Sequence, residues 1–348
     1  MSRRLAVVGA GISGLAAAYF ARERAQVTLL EASDRIGGVI VTRRQEGWVA
    51  EGGPDSLLTT KSQAIELARE LGLEPEIVAT RGAGGALVVR GDRLLPIPDG
   101  FRLMAPGKLL PFALSPAMSL TGKLRMLLDL VLPRGTSEDP SLSEFVVRRL
   151  GREAYERLAQ PLAGGIYAAD PERLSMAAAM PEFLEHERVH GSLIRGLLKG
   201  ATRRRGDSGA RYSLFFNFRQ GTEALVERLE EAVRPGLRRE TPVLGLARHG
   251  SGWLLNLDHE TLEVDAVILA VPAPAASVLL RGVNSELADL VGSVPCSNCA
   301  TVNLGFASAP PNLRGFGFVV PQVEESYLLA TTYSHLKWPG PAPARNAR

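Results

Sequence analysis

The chain has 348 residues, 45% of them apolar, with 40 basic against 37 acidic side chains and a formal net charge of +3. That length exceeds one compact core and fits two intertwined domains. The near-balanced charge, with no basic run interleaved with aromatics, does not argue for nucleic acid, and no nucleic-acid partner is expected. Two cysteines exclude a disulfide scaffold and fit a reducing compartment. Because the sequence opens straight into a strand pattern no leader is expected, and because the apolar stretch Leu109–Gly122 is broken by Pro111 and Pro116 no spanning helix is expected. The expectation is a cytoplasmic, water-soluble protein that touches a membrane surface at most peripherally.

The chain begins with its most informative stretch. Leu5–Val8 is an unbroken apolar run, the sign of a buried strand. Gly9, Ala10, Gly11, Ile12, Ser13 and Gly14 follow as G-x-G-x-x-G, then Leu15–Arg24, rich in Ala and helix formers, then a second apolar run, Val27–Leu30, which Glu31 ends. This strand, turn, helix, strand order gives the glycines their meaning. Gly9 permits a tight turn, Gly11 lets the backbone approach a pyrophosphate, and Gly14 lets the helix pack closely on the strand. The helix start offers free N–H groups to phosphate. Glu31 lies where an acid accepts both ribose hydroxyls, which argues against a 2′-phosphate and hence against NADP.

The next residues, Glu31-Ala32-Ser33-Asp34-Arg35-Ile36-Gly37-Gly38, resemble the E-A-x-x-R-x-G-G extension of the amine-oxidase type of FAD enzyme. The resemblance implies FAD, with Gly37 and Gly38 bringing backbone near the cofactor and Arg35 beside its phosphates. Read locally, the glycine pair is an ordinary turn. Gly47–Ala50 reads as a short strand, and Glu51-Gly52-Gly53-Pro54-Asp55-Ser56 as a turn. In FAD enzymes of this type the corresponding loop passes beneath the flavin ring.

Ser62–Leu71 is expected to be a helix with Ile65 and Leu71 inward, and Ala86–Arg90 with Arg93–Leu95 a hairpin around Gly91-Asp92. Pro96 to Gly200 reads as a mostly helical insertion. Within it, Leu120, Leu124, Leu127, Leu128 and Val131 recur on one face of a helix over Ser119–Leu132, a face expected in the core. Ser141-Leu142-Ser143-Glu144 is a capping box opening the next helix. Gly151 separates that helix from another ending near Pro161, and Pro171 and Pro181 open further ones. The polar stretch 201–212, with Arg203-Arg204-Arg205, reads as a solvated loop.

Phe215 and Phe216 suggest a strand. Thr222–Val233 is a helix with Leu225, Leu229 and Val233 inward. Pro242–Ala247, Trp253–Leu257 and Ala266–Val271 are strands, the last a buried parallel one. Cys296–Gly305, Gly317–Val320 and Ser326–Tyr333 read as further strands on the substrate side. The expected fold class is α/β. A Rossmann-like FAD-binding domain (1–85 and 213–282) is interleaved with a substrate domain of mixed sheet and helical insertion (86–212 and 283–338), and an atypical tail covers 339–348. The resemblance places this in the amine-oxidase and p-hydroxybenzoate-hydroxylase type of architecture.

The middle of the chain resembles the protoporphyrinogen and coproporphyrinogen oxidases of haem biosynthesis. The matching stretches are Leu95-Pro96-Ile97-Pro98-Asp99-Gly100, Leu132-Pro133-Arg134-Gly135, Ser143-Glu144-Phe145 with Arg148-Arg149-Leu150-Gly151, and Pro161-Leu162-Ala163-Gly164-Gly165-Ile166-Tyr167-Ala168-Ala169-Asp170-Pro171 with Leu174-Ser175. His190-Gly191-Ser192-Leu193-Ile194 and Gly315-Phe316-Gly317-Phe318-Val319-Val320-Pro321 match again. The resemblance covers about Arg4 to Pro341. It implies an FAD-dependent oxidase that converts a porphyrinogen to porphyrin with molecular oxygen as acceptor, and hand-over to other enzymes of the haem pathway. Hydride passes from carbon to flavin, so no side chain is required as acid or base, and no catalytic residue is named. Cofactor contacts carry over to Gly9 through Gly14, Glu31, Ala32, Val39, Gly53, Pro54, Asp55, Ser56 and Val243, the last equally a core strand residue. Gly164, Gly165, Ile166 and Tyr167 match a segment lining the substrate cavity, or form a helix-ending turn.

Two departures stand out. Some members place an Arg near Ala86 to pair a propionate; alanine here leans towards coproporphyrinogen. Family chains also continue past Trp338-Pro339-Gly340-Pro341 with a second FAD-binding segment, so a shortened chain with an incomplete flavin wall is expected. The rival readings are another flavoenzyme of the same fold (amine oxidase or carotenoid desaturase), a shortened inactive flavin-binding chain, and a zinc peptidase. The last rests on His186-Glu187-Arg188-Val189-His190, which spells H-E-x-x-H but lacks an evident third ligand. Cys296-Ser297-Asn298-Cys299 leads into an expected strand and reads as two ordinary thiols.

Overall fold

The computed structural model describes residues 3–340 except 60, 82–84, 99–100, 103, 107, 205–214 and 309. The strand Arg3–Val8 is central to a four-stranded sheet in the order Leu237–Arg238, Ala25–Leu30, Arg3–Val8, Ala266–Leu269. All its pairings are parallel, with Val8 level with both Leu30 and Leu269. Successive side chains alternate between its two faces. Val7 and Leu29 join the core under helices Ile12–Ala21 and Glu223–Val233. Ala6, Val8 and Leu30 join a second core, under the antiparallel sheet Val243–His249, Gly252–Leu257, Thr261–Val264 and the helix Ala273–Leu280.

The other half of the molecule is built on a mixed sheet in the order Ala330–Thr332, Gly317–Val319, Ala86–Arg90, Arg93–Pro96. Val88 and Val319 from this sheet meet Phe145, Leu150, Leu158, Met176 and Leu193 of the helical insertion in a third core. A small antiparallel sheet, Leu57–Leu58, Phe215–Phe218, Ile77–Ala79, packs Phe216, Phe218 and Ile77 into the core that holds Val7 and Leu29. The Ser141 capping box forms as expected: Ser141 Oγ accepts from Glu144 N–H at 3.2 Å, and Glu144 accepts from Ser141 N–H at 2.9 Å.

Several expectations are corrected. Over Ser119–Leu132 the chain is helical at Leu120–Leu127 and tightens to a 3₁₀ turn at Leu128–Leu130. The leucine face, however, points outward, with Leu120, Leu124 and Val131 exposed by 73%, 57% and 76%, and Leu127 and Leu128 also exposed. Polar anchors on the opposite face decide this. Asp129 is fully buried against Arg149, and Ser119 N–H donates to Glu153 at 2.8 Å. The helix after Gly151 does not end at Pro161. It passes from Arg152–Ala154 through a π-helical turn, Tyr155–Ala159, into Gln160–Tyr167. The wider turn relieves the clash and the lost N–H bond that proline brings to a regular helix.

Pro171 opens only a turn; the next helix, Met176–Ala179, is capped by Ser175, whereas Pro181 does open Pro181–His190. The stretch from residue 201 continues the helix Leu193–Arg204, and the rest of the expected loop lies outside the described residues. Ala266–Leu269 is parallel but is the edge strand, so Ile268 is partly exposed rather than buried. Cys296–Gly305 is exposed and forms no strand, and Ser326–Tyr333 narrows to Ala330–Thr332. Alternation makes a strand only where a neighbouring strand takes the backbone hydrogen bonds. Asp99, Gly100 and residues 341–348 of the tail lie outside the described residues.

Candidate functional site

The glycine turn has the geometry its spacing implies. Gly9 has φ +97°, and a Cβ there would stand 2.7 Å from Ala270 O. A Cβ on Gly14 would stand 1.8 Å from Gly9 O, so only glycine lets the helix lie this close to the strand end. At Gly11 the same construction meets only Gly38 Cα at 3.9 Å. Gly11 is the N-cap of helix Ile12–Ala21 and supplies no side-chain cap. The N–H groups of Ile12, Ser13 and Gly14 therefore have no partner within the helix and face the same side as its positive dipole end.

Gly37 N–H donates to Ala10 O at 2.8 Å, and Gly11 bridges Gly37. Gly38, at φ +59°, lies against Gly11 with no side chain between them. Glu31 fixes the turn from the other side. Its Oε2 accepts from Ala10 N–H at 2.8 Å, and its Oε1 accepts from Ser33 N–H at 3.0 Å and Ser33 Oγ at 2.8 Å. Partial burial would raise this carboxyl, but hydrogen bonds from Ser33, Ala10 and Ala32 outweigh it and hold Glu31 below its usual range. It is ionised at neutral pH, and Oε2 keeps acceptor capacity for a hydroxyl.

Ala32 is exposed beside it. Thr241 N–H donates to Glu31 O at 2.8 Å, which brings half-buried Val243 to the acid's side of the site. The Arg35 guanidinium donates to the carbonyls of Ile36, Gly38 and Ile40 at 3.0, 2.6 and 3.2 Å and so braces the glycine-pair loop itself.

The hairpin of strands Thr42–Gln45 and Trp48–Glu51 returns the chain to this loop at the second glycine segment. Val39 is 77% exposed, while its carbonyl lies under Gly53, where a Cβ would come within 1.9 Å. Before Gly53, Glu51 accepts from Thr42 Oγ1 at 2.6 Å, Thr222 N–H at 2.8 Å, Thr222 Oγ1 at 2.9 Å and Asn217 Nδ2 at 3.2 Å. Asn217 also donates to Asp55 O, and Thr222 to Pro54 O. Ser56 Oγ donates to Asp55 Oδ1 at 2.6 Å, and Lys337 Nζ reaches the same carboxylate. Glu51, Asn217, Thr222 and Lys337 were not singled out from the sequence. Only Asn217, the polar residue within Phe215-Phe216-Asn217-Phe218, carried a local signal.

Gly9–Gly14, Glu31, Gly37–Val39 and Gly53–Ser56 thus form one continuous surface of mostly bare backbone. Gly164–Tyr167 lies elsewhere, at the end of helix Gln160–Tyr167, which Ala168 closes at φ +48°. A Cβ on Gly165 would make ordinary contact with Val319 and Ala330 of the mixed sheet, at 3.5 and 3.6 Å. Ile166 is exposed, and Tyr167 Oη donates to Ala179 O at 3.0 Å. Burial, then Glu182, pushes the Tyr167 phenol up.

The H-E-x-x-H residues are otherwise engaged. Glu187 accepts from Arg148 at 2.7 and 3.0 Å and from Gly135 N–H at 3.2 Å, and the His186 ring packs against Gly196. Among the described residues no group of three His, Cys, Asp or Glu could hold a metal ion. Cys296 and Cys299 are free and exposed.

The residues present fit FAD: open N–H groups at a helix start, room at Gly11 for a pyrophosphate, and an ionised carboxylate with spare acceptor capacity for a ribose. Comparison with known proteins agrees. The profile of the flavin-containing amine oxidoreductases matches residues 12–347. The chain is similar to coproporphyrinogen III oxidase of Bacillus subtilis, with 34% identity over 98% of this chain and 75% of the relative. It is similar to protoporphyrinogen oxidase of Bos taurus, with 32% identity over 97% of this chain and 74% of the relative. Among solved structures, a protein of protoporphyrinogen-oxidase type from Exiguobacterium sp. 255-15 superimposes with a TM-score of 0.80 at 30% identity, covering 99% of this chain and 75% of that one.

Proposed function

The chain belongs to the flavin-containing amine oxidoreductases, and on that footing we propose that it oxidises a porphyrinogen to a porphyrin in haem biosynthesis, with oxygen as final acceptor. When bound, FAD would supply the two-electron redox chemistry between the substrate carbon and oxygen. The observation that carries the reading is a dinucleotide turn with an open helix start and an ionised acid, in a chain alike throughout to porphyrinogen oxidases. In this reading the N–H groups of Ile12, Ser13 and Gly14 hold the pyrophosphate, Glu31 holds the ribose, and Gly37–Val39 with Gly53–Ser56 border the flavin.

Residues 1–85 with 213–282 would carry FAD, and 86–212 with 283–338 the substrate. The three cores divide in a manner that supports this. Two draw on residues such as Val7, Leu29, Phe216 and Leu255, and the third on Val88, the helical insertion and Val319. A tetrapyrrole needs large apolar walls, and the insertion with the helix end Gly164–Tyr167 would provide them. Ala86 opens its strand without a cation for a propionate, which favours coproporphyrinogen over protoporphyrinogen.

The test is to load the purified chain with FAD, supply either porphyrinogen in air, and follow porphyrin fluorescence with oxygen uptake. Porphyrin formed faster than in the protein-free control supports the reading. A flavin-loaded chain that oxidises amines and leaves porphyrinogens untouched overturns it in favour of an amine oxidase.

A membrane surface is a second proposed partner. Among the described residues no helix is long and apolar enough to cross a membrane. Leu110 and Leu114 on one helix, and Leu120, Leu124 and Val131 on and after the next, are nevertheless exposed, with Lys123 on the second helix. Such a surface fits peripheral contact, and would set the protein beside the enzymes that deliver and receive its tetrapyrroles, on the cytoplasmic side. Flotation with anionic phospholipid vesicles tests this: the chain should float, and a Leu120→Asp, Leu124→Asp variant should not.

A further inference from the structure

The loop Gly53–Ser56 is fixed at its two ends by different halves of the molecule. At the near end Glu51 takes its donors from Thr42, Asn217 and Thr222, on the side of the parallel sheet. At the far end Asp55 is held by Lys337, which follows the strand Ala330–Thr332 of the mixed sheet. Lys337 is only 9% exposed. Its ammonium lies 3.1 and 3.0 Å from the two Asp55 carboxylate oxygens and 2.9 Å from Ser56 Oγ, so each of its three N–H donors has an acceptor in this loop. The rings of Trp338 and Phe215 stand 5.1 and 5.5 Å from the ammonium and cover the lysine, while the Asp55 side chain stays 29% exposed. Lys337 O in turn accepts from Arg81 N–H at 2.9 Å, which ties this turn to a second segment.

A buried lysine is almost never left unpaired, and its removal leaves Asp55, a partly exposed carboxylate, without its cation. Here that carboxylate belongs to a loop with two glycines, Gly52 and Gly53, which have little side-chain packing to hold their shape. Unpaired Asp55 would turn towards water and carry the loop with it. It would also present a negative charge to a cofactor whose pyrophosphate is anionic.

We propose that Lys337 is a positioning residue for the flavin, acting through Asp55 and Ser56 to lock the loop Gly53–Ser56 between the two halves of the molecule and to neutralise its carboxylate. The inference rests on the reading that this loop borders the flavin.

The test measures the FAD dissociation constant of the apoprotein by flavin fluorescence, with the visible circular dichroism of the bound flavin as the report on its seating. Lys337→Met should weaken FAD about 10-fold, as loss of a partly buried charge pair that orders a loop does, and should change the visible dichroism. Lys337→Arg, which keeps the cation, should stay within about 3-fold of wild type. Asp55→Asn breaks the pair from the other side and should also weaken FAD. The double variant Asp55→Asn, Lys337→Met leaves no charge unpaired and should recover most of the loss.

Wild-type affinity and dichroism in Lys337→Met, even with a lowered melting temperature, would show a staple without a role at the flavin and overturn the proposal. Tighter binding in Asp55→Asn, or no recovery in the double variant, would show the lysine acting directly on the ligand and overturn it equally. Should Lys337→Met not fold, the arginine, asparagine and double variants decide. A wild-type chain that takes up no FAD refutes the flavin site itself, and the inference with it. A chain that binds FAD, loses it on Gly11→Ala and keeps it on Lys337→Met refutes the inference alone.

Discussion

Gly11→Ala and Gly14→Ala separate binding from folding at the same turn. At Gly11 the added methyl has room, since only Gly38 Cα lies within reach, at 3.9 Å. The backbone there, φ −67° and ψ 175°, suits any L-residue. Alanine in place of glycine at a helix N-cap costs a few tenths to about 1 kcal/mol, and restricting the unfolded chain returns about 0.4–1 kcal/mol. Net stability should therefore change by less than about 1 kcal/mol. The ligand meets a different situation, because in the proposed site the methyl takes up the room that Gly11 leaves for the pyrophosphate. Losing two charge-assisted hydrogen bonds, at about 1.5–3 kcal/mol each, weakens FAD by about 3–6 kcal/mol, roughly 10²- to 10⁴-fold. Gly14→Ala is the opposite case. Its methyl would sit 1.8 Å from Gly9 O, so the helix must lift from the strand, at a cost of about 3 kcal/mol or more. The assay is a thermal melt of each apoprotein beside an FAD titration by fluorescence quenching. Wild-type FAD affinity in Gly11→Ala, or a melting temperature lowered as far as in Gly14→Ala, would refute the reasoning.

Three further outcomes are expected. Arg149 is fully buried, bonds Asp129 at 2.6 Å and also donates to the carbonyls of Asp129, Leu132, Pro133 and Gly191; Arg149→Met strands the aspartate and should cost about 3–5 kcal/mol in urea unfolding, part of it regained with Asp129→Leu. Glu31 titrates below its ordinary 4.5 in the folded chain, so the native state binds fewer protons than the unfolded one. Its stabilisation is complete above that ordinary value and is lost as pH falls through the lower folded one. Glu31→Gln should therefore flatten the acid limb of the melting curve, and equal slopes in the two proteins would count against the assignment. Because Leu120 and Leu124 are exposed, aspartate at both positions should change stability by under about 1 kcal/mol; a loss of several kcal/mol would return that face to the core.

The parts of the fold that were legible in the sequence are those whose causes are local. Gly9, Gly11, Gly14 and Glu31 announce a turn, a close helix and an acid within one βαβ stretch, and each sits where its spacing implied. Ser141 and Glu144 cap a helix with atoms three residues apart. Most of the failures share a distant cause. An apolar stripe such as Leu120, Leu124, Leu127 specifies a helix face but not its neighbour, and here the buried pair Asp129 and Arg149, twenty residues apart, sets which face turns inward. Pro161 normally ends a helix, but a π-helical turn upstream carries the chain past it. Residues 296–305 have strand composition, yet composition cannot supply the neighbouring strand that would make them one. Asp55 and Lys337 lie 282 positions apart, beyond the reach of any pattern.

That separation follows from what the site is made of. A surface built to bring backbone N–H groups against a cofactor must be nearly free of side chains, and glycine-rich backbone is the kind most reluctant to hold one shape. The order has to be imposed by groups outside the glycine segments. Glu31 holds the first turn through Ala10 N–H, Arg35 holds the carbonyls of Ile36, Gly38 and Ile40, Glu51 holds the entry to Gly52-Gly53, and Lys337 holds its exit through Asp55. These anchors are charged because a fixed charge can satisfy several backbone or hydroxyl groups at once. The glycines are therefore the part of such a site that a sequence displays, while the side chains that keep them in order come from wherever the fold delivers a charge. Substituting Glu51 or Lys337 should alter flavin affinity with no cofactor contact removed.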